Sequence, residues 1–406
     1  MMQIGFRKIL STIVDHEREF FPKDIPRPLK ELYTTTAILN FAMSAGFIFE
    51  PIYLYTLGFS LSKIMLFYLL VYVLYFFLIP LGGKVVKHKG FEHGIMYGSV
   101  FFILYLIFLI NIPQHEGFFF LAALAFALQK TLFWPGFHAD FAYFGKTGQR
   151  AREVSFLVIL DSLVFILGPL AGGLVVSALG FPALFIFMCA AILISNIPLL
   201  TTREVFIPTD MSYRGAYKRL VAKENRRHFW GYIGFGEELI FFTIWPIFIF
   251  VTINNFFGTG FAVALSTCVT ALVVLYVGKF SDSKDRKKVL RFGAILVVLS
   301  WLMRLFIQGG AGVLFTDFFS RVSKHVFGVP MVSGLYEYAA KHSIVRTIIF
   351  FEMSLTVGKV AVAGLLAIIF AFAKPGWEYA FILAAFFSLF YFVLGVKRPP
   401  PILNGQ

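Results

Sequence analysis

The stretch GKFSDSKDRKK, residues 278–288, gathers Asp282, Asp285 and five cationic side chains between two long apolar runs. Charge of that density, closed off on both sides by apolar sequence, reads as an exposed connection between two membrane-spanning helices. Apolar runs of the same kind recur along almost the whole chain, at about the 20 residues an α-helix needs to cross roughly 30 Å of hydrocarbon. The composition agrees: 59% of the 406 residues are hydrophobic and 14% charged, outside the range of soluble domains. The runs do not alternate apolar and polar positions, which excludes the strands of a membrane barrel. A net charge of +14 fits basic cytoplasmic loops rather than nucleic-acid binding. Cys189 and Cys268 lie inside apolar runs, so neither a disulfide framework nor a metal site is expected, and no cofactor is implied.

Spans are expected near 31–56, 60–82, 92–112, 117–144, 154–178 and 182–200, then near 228–253, 258–279, 290–308, 311–340, 347–371 and 376–395. With the N-terminus inside, the inward connections carry Lys84, Lys87 and Lys89; Lys146, Arg150 and Arg152; the basic run 203–227; the opening stretch; Lys341 and Arg346; and Lys397 and Arg398. Outward connections carry only Lys63 and Lys374 nearby. That asymmetry places both termini in the cytoplasm of a cell (inner or plasma) membrane protein. The expected organisation is a cytoplasmic arm (1–30), a six-helix half (31–200), a central loop (201–227), a second six-helix half (228–396) and a tail (397–406). Within the arm, IGFRKILSTIV is either a helix lying on the membrane surface or a solvated segment.

Six spans on each side of one long loop prompt a search for an internal repeat. A shift of 195 positions places Pro51 on Pro246, Gly83 and Lys84 on Gly278 and Lys279, Gly98 on Gly293, Pro135 on Pro330, Tyr143 on Tyr338 and Lys146 on Lys341. One further residue brings Arg150 onto Arg346 and Gly168 onto Gly364. Proline and glycine in register carry weight because they fix backbone geometry.

These features together resemble the major facilitator superfamily. Its loop signature is a glycine, three residues, an aspartate, three residues, then arginine and a further base; Gly278, Asp282, Arg286 and Lys287 match it. GPLAGG, with Gly168, Pro169, Gly172 and Gly173, is similar to the family's glycine-rich fifth helix, where small residues allow close approach. The first-half copy, GGKVVKHKGFEH, keeps Gly83 and Gly90 but has Lys87 where the family has aspartate and Phe91 where it has arginine. The resemblance implies an all-helical fold of 12 transmembrane helices in two pseudo-symmetric halves, cytoplasmic latches at the two signature loops, and a cavity lined by the first, fourth, seventh and tenth helices. Asp282 would then latch near Arg150 and Arg152, and Lys87 is expected to pair with Glu352 or Glu337.

Ionisable residues within spans are costly unless paired or hydrated, so each is a candidate site. Glu50 shares a helical stripe with Thr36, Met43, Phe47 and Tyr53, with Asn40 at its edge, and is the first candidate for proton coupling. The alternative is a carboxylate permanently paired near the headgroups. Glu237 and Glu238 lie roughly 100° apart on one helix. The repeat favours Glu238, which shares a stripe with Trp245, and leaves Glu237 to packing. Lys130 is followed at helical spacing by Trp134 and His138, and its repeat counterpart is His325, flanked by Lys324 and Arg321. Asp317, four residues before Arg321, neutralises that arginine locally, which leaves Lys130 and Lys324 to hold an anionic group or exchange partners with the acids. Asp161 and Lys359 are expected to pair across the two halves, as a switch or as a static bridge. His88, His93 and His138 are assigned no role, and the 53 phenylalanines are read as lipid-facing and packing side chains.

The expected function is secondary active transport of a small polar or amphipathic solute by alternating access, coupled to protons as symport or antiport, by a monomer with no nucleic-acid partner. Alternatives are a lipid or lysolipid translocator and a membrane solute sensor. The sequence carries no HExxH, phosphate-binding loop or nucleophile elbow, and no enzyme is expected.

Overall fold

A computed structural model describes residues 27–144, 150–200, 212–281, 286–373 and 376–395, and within them every regular element is a helix. In chain order these are α1 (Arg27–Phe47), α2 (Phe49–Thr56), α3 (Leu61–Lys89), α4 (Phe91–Asn111), α5 (Gly117–Phe144), α6 (Arg150–Ser195), α7 (Tyr213–Leu220) and α8 (Arg226–Ile233). They are followed by α9 (Glu237–Phe242), α10 (Ile244–Ile253), α11 (Phe256–Ser281), α12 (Arg286–Met303), α13 (Gly309–Lys341), α14 (Ile344–Phe372) and α15 (Trp377–Ser388). Ten helical stretches among the described residues are long and apolar enough to cross a membrane. One of the ten, Leu160–Leu200, contains the non-helical Gly180, whose φ of 83° separates the expected spans 154–178 and 182–200. The 33-residue α13 is long enough to cross but carries Asp317, Arg321, Lys324 and His325, and this polarity keeps it out of the ten.

Backbone polar groups facing hydrocarbon have no water to bond, so each proline inside a helix creates a debt at the carbonyl four residues earlier. Pro80 in α3 frees the Phe76 carbonyl, and α7 answers it. The Tyr217 hydroxyl donates to Phe76 O at 3.3 Å and reaches Phe77 O at 3.4 Å, while Tyr213 donates to Phe77 O at 3.1 Å. The amphipathic connection between the two helical sets is thereby fastened to the proline bend of α3.

Several features recur at the spacing of the sequence repeat. Helix α1 breaks at Ile48, three residues before Pro51; α9 breaks at Thr243, three residues before Pro246. A Cβ added to Gly98 would stand 2.9 Å from Phe133 Cβ, and one added to Gly293 would stand 2.7 Å from Phe327 N. Both glycines thus let a neighbouring backbone approach where any side chain would collide. The two sets also pack on each other, α3 along α14 and α6 along α11. In the second contact Gly173 faces Phe256 O and Gly260 faces Pro169 O; Gly168 and Gly172 face α1 at Ser44 and Ala45.

Removing both hydroxyls with Tyr213→Phe and Tyr217→Phe should leave the Phe76 carbonyl without a donor and cost about 1–3 kcal/mol. A lowered unfolding temperature of the double variant in detergent, with each single variant intermediate, is the expected result.

Candidate functional site

Among the described residues, most of the buried ionisable side chains of the helices fall into three clusters. The first surrounds Glu50, which the break at Ile48 sets in the first turn of α2, where backbone N–H groups favour an anion. Glu50 is buried and accepts a 2.9 Å hydrogen bond from the Tyr68 hydroxyl, with Tyr105 beside it. Lys130 lies over the Phe126 ring at 4.1 Å and near Tyr72 at 5.5 Å, close enough to act on the charge of Glu50. Tyr53 turns elsewhere: its ring rests on Phe181 and Phe185 and its hydroxyl approaches Ile110 O at 3.5 Å.

The second cluster joins α9, α10, α12 and α13. Glu237, 1% exposed, accepts from Lys324 Nζ at 2.7 Å, Trp301 Nε1 at 2.9 Å and the Tyr391 hydroxyl at 3.0 Å. Asp317, also 1% exposed, accepts from Arg321 Nε at 2.7 Å and Trp245 Nε1 at 2.8 Å. Between the two indoles lies the Arg304 guanidinium, 3.9 Å from the Trp301 ring and 4.1 Å from the Trp245 ring, with none of its three nitrogens hydrogen-bonded.

The third cluster runs between helices from opposite ends of the chain. Glu352 on α14 accepts from Tyr75 on α3 at 2.8 Å and lies 3.4 Å from His138 Nε2 on α5. The other ring nitrogen of His138 is 2.6 Å from the Tyr336 hydroxyl on α13, and Trp134 stacks on the imidazole. Nearby, Lys359 pairs with Glu238 at 3.2 Å and approaches the Tyr72 ring.

This arrangement redistributes the candidates read from sequence. Asp161 takes a 2.8 Å hydrogen bond from Asn40, and Lys359 goes to Glu238, so the expected Asp161–Lys359 bridge is replaced by two separate pairings. Lys324, which lacks a partner on its own helix, finds Glu237 on α9. Arg321 is held by Asp317. Glu238 is the more exposed of the adjacent acids, at 27% against 1% for Glu237. Trp245 is packed inside the second cluster, and His325 is half-buried beside Arg321. His138, assigned no role from sequence, reaches Glu352 and Tyr336. Arg304 was missed although it lies inside the expected span 290–308; an intramembrane arginine three residues after a tryptophan was the available signal.

At the loop signatures, Arg286, the first residue of α12, grips Glu337 with two hydrogen bonds of 3.0 and 3.1 Å, and Lys287 follows it. Gly278 lies in α11, while Asp282 and its expected latch with Arg150 and Arg152 fall outside the described residues and side chains. In the first copy Gly83 is buried in α3 and Gly90, with φ 100°, ends it. The two acids expected beside Lys87 have partners of their own, Glu337 in Arg286 and Glu352 in Tyr75 and His138.

The family model of the Major Facilitator Superfamily matches residues 32–234, half of the chain. The chain belongs to the Major Facilitator Superfamily. Membership makes this a membrane transporter by family and not an enzyme. Solved transporter structures share its fold at low identity. The POT family transporter PepTSo has a TM-score of 0.67 at 11% identity, with 92% of this chain and 97% of that chain covered. A mutant of the E. coli fucose:proton symporter FucP has a TM-score of 0.61 at 13% identity, covering 91% and 97%. A mutant of the nucleoside transporter NupG has a TM-score of 0.64 at 15% identity, covering 91% and 100%. No curated protein matches the chain by sequence.

The clusters of this superfamily member differ in what a single substitution should do. Glu237→Leu strands the Lys324 ammonium among buried groups and should cost about 3–5 kcal/mol. Arg286→Lys loses only a half-exposed fork and should cost at most about 1 kcal/mol. Thermal unfolding of the two purified variants in detergent should rank them in that order by a wide margin.

Proposed function

We propose that the chain is a secondary active transporter that moves a small polar or amphipathic solute by alternating access, coupled to protons. In this reading twelve helices form two six-helix halves, 31–200 and 228–396, that rock against each other around a site between them. Both termini are cytoplasmic, and α6 and α13 supply the two spans beyond a one-helix, one-span count. The recurrence of breaks and glycine contacts at a spacing of 195 supports the two halves.

The observation that carries the proposal is the polar bridge of the third cluster. Tyr75 and His138 belong to one half, Tyr336 and Glu352 to the other, and the four converge toward the cytoplasmic end of the proposed topology. At the opposite end the halves meet through Phe47 on Phe242, Phe181 on Phe256, and a 2.7 Å bond from Ser62 Oγ to Ala367 O. Contacts at both ends are what an alternating mechanism has to break in turn. The cytoplasmic set contains an imidazole and a carboxylate, so protonation bears on the stability of that closure.

Glu50 remains the first candidate to carry the coupled proton: it is enclosed, bonded to a tyrosine that can donate to either protonation state's oxygen, and influenced by a lysine. Glu238, paired with Lys359 and partly exposed, is the second; Asp161, tied to Asn40, is the third. A lipid-translocating variant of the same reading would need a cavity that opens sideways between the halves; the apolar groove of about 940 Å³ that includes Lys63, Leu66, Leu70 and Phe120 is lined by the first half alone.

Uptake into proteoliposomes across a panel of sugars, organic acids, amino acids, lipids and cationic dyes, with and without a pH gradient, tests the proposal. Gradient-driven accumulation of one class is the expected result. Glu50→Gln should abolish that accumulation while leaving exchange largely intact; unchanged accumulation would remove Glu50 from the coupling.

A further inference from the structure

The second cluster contains a charge that no described residue neutralises by contact. Arg304 is 2% exposed, and its guanidinium spends both faces on tryptophan rings while its N–H groups meet no acceptor among the described residues. A buried guanidinium without acceptors is costly in any protein, and more so inside a membrane. The two acids nearest to it are committed elsewhere. Asp317 and Glu237 take the indole N–H groups of Trp245 and Trp301 on one side and Arg321 and Lys324 on the other.

Three cations therefore surround two carboxylates. They also crowd one another: Lys324, Arg321 and Arg304 stand 4.4, 5.4 and 5.8 Å from the same Phe241 ring. The other charged groups nearby do not correct the imbalance, because Glu238 is paired with Lys359 and His325 can add only positive charge. Arg304 is sealed in, whereas the Arg321 and Lys324 side chains keep 16% and 21% of their surface exposed.

We propose that Arg321 and Lys324 form the subsite for a single negative charge on the transported solute, an organic carboxylate, with Arg304 as a positioning residue behind them. The inference rests on the transporter reading above and narrows its substrate class. One surplus positive charge matches a monoanion rather than a dianion. An arginine beside a lysine offers a fork and a point charge to one carboxylate. When that carboxylate draws Arg321 and Lys324 toward itself, the field of Arg304 and the two indole N–H bonds continue to hold Asp317 and Glu237. Without Arg304 the two exposed cations would be balanced one for one by the resident acids, and an incoming anion would have to compete with them.

Iodide quenching of tryptophan fluorescence tests this on the full chain in detergent, since iodide is a monoanion and Trp245 and Trp301 line the cluster. Acrylamide is the neutral control. Wild-type quenching by iodide should contain a saturable component, above the linear quenching of the exposed Trp230, that is displaced by benzoate but not by its neutral analogue benzamide. Arg304→Gln and Lys324→Gln should each weaken the apparent iodide affinity by about ten-fold, roughly one charge-assisted contact, with acrylamide quenching unchanged. Arg304→Lys, which keeps the charge, should retain most of the affinity, an outcome a purely structural arginine would not give. Iodide quenching with no saturable part above the linear background of the exposed Trp230, or displacement by benzamide as well as by benzoate, overturns the proposal even if proteoliposomes accumulate a neutral solute. Saturable, charge-dependent quenching supports it even if no solute is accumulated, in which case the transporter reading fails and the anion site stands. If Arg304→Gln does not fold, the Lys324→Gln and Arg304→Lys pair decides alone.

Discussion

A carboxylate removed from water must be given donors, and this chain meets that constraint mainly with aromatic rings. Glu50 is held by Tyr68, Glu352 by Tyr75, Asp317 by Trp245, and Glu237 by Trp301 and Tyr391. A phenol or indole offers a single donor on a large apolar body, so it satisfies a buried acid without importing a second charge. The consequence is architectural: each acid fixes the relative position of two or more helices. Glu237 ties α9 to α12, α13 and the chain's last helical turn, and Glu352 ties α14 to α3.

The same economy governs the backbone. Proline bends α3, and the carbonyl it frees is met by tyrosines on α7, so a break in one helix becomes an attachment point for another. Interruptions at Ile48 and Thr243 put Glu50 and Trp245 near new helix starts inside the bundle, where a straight helix would have continued past them. Glycine does the complementary work, bringing α6 against both α1 and α11 at distances that exclude side chains. Polar groups enter the interior of the bundle at the bends, and the helices close around them at the glycines.

The clusters divide the labour of transport in the proposed mechanism. The Glu50 cluster lies within one half and the Arg304 cluster within the other, so neither is disrupted by a rocking motion. The Glu352 cluster would lie between the proposed halves and would have to be broken in that mechanism. In that mechanism the contacts that must open and close with the rocking motion are the ones at the seam.

Much of the fold was legible in the sequence because length, hydropathy and the placement of proline and glycine act locally. The apolar runs marked the helices, and Pro51 with Pro246 and Gly98 with Gly293 marked bends and close contacts that recur in the structure. The stretch at 278–288, taken with the two sets of six spans and the internal repeat, carried the resemblance to the superfamily. The partners of the charges were a different matter. Asp161 and Lys359 looked like one bridge and are two; His138 looked like a surface histidine and links Glu352 to Tyr336; Arg304 drew no notice and is the most enclosed arginine described. Helical spacing says which residues share a face, but a buried charge takes its partner from another helix. Which helix that is depends on how the bends and glycine contacts set the packing, and only the tertiary structure decides it.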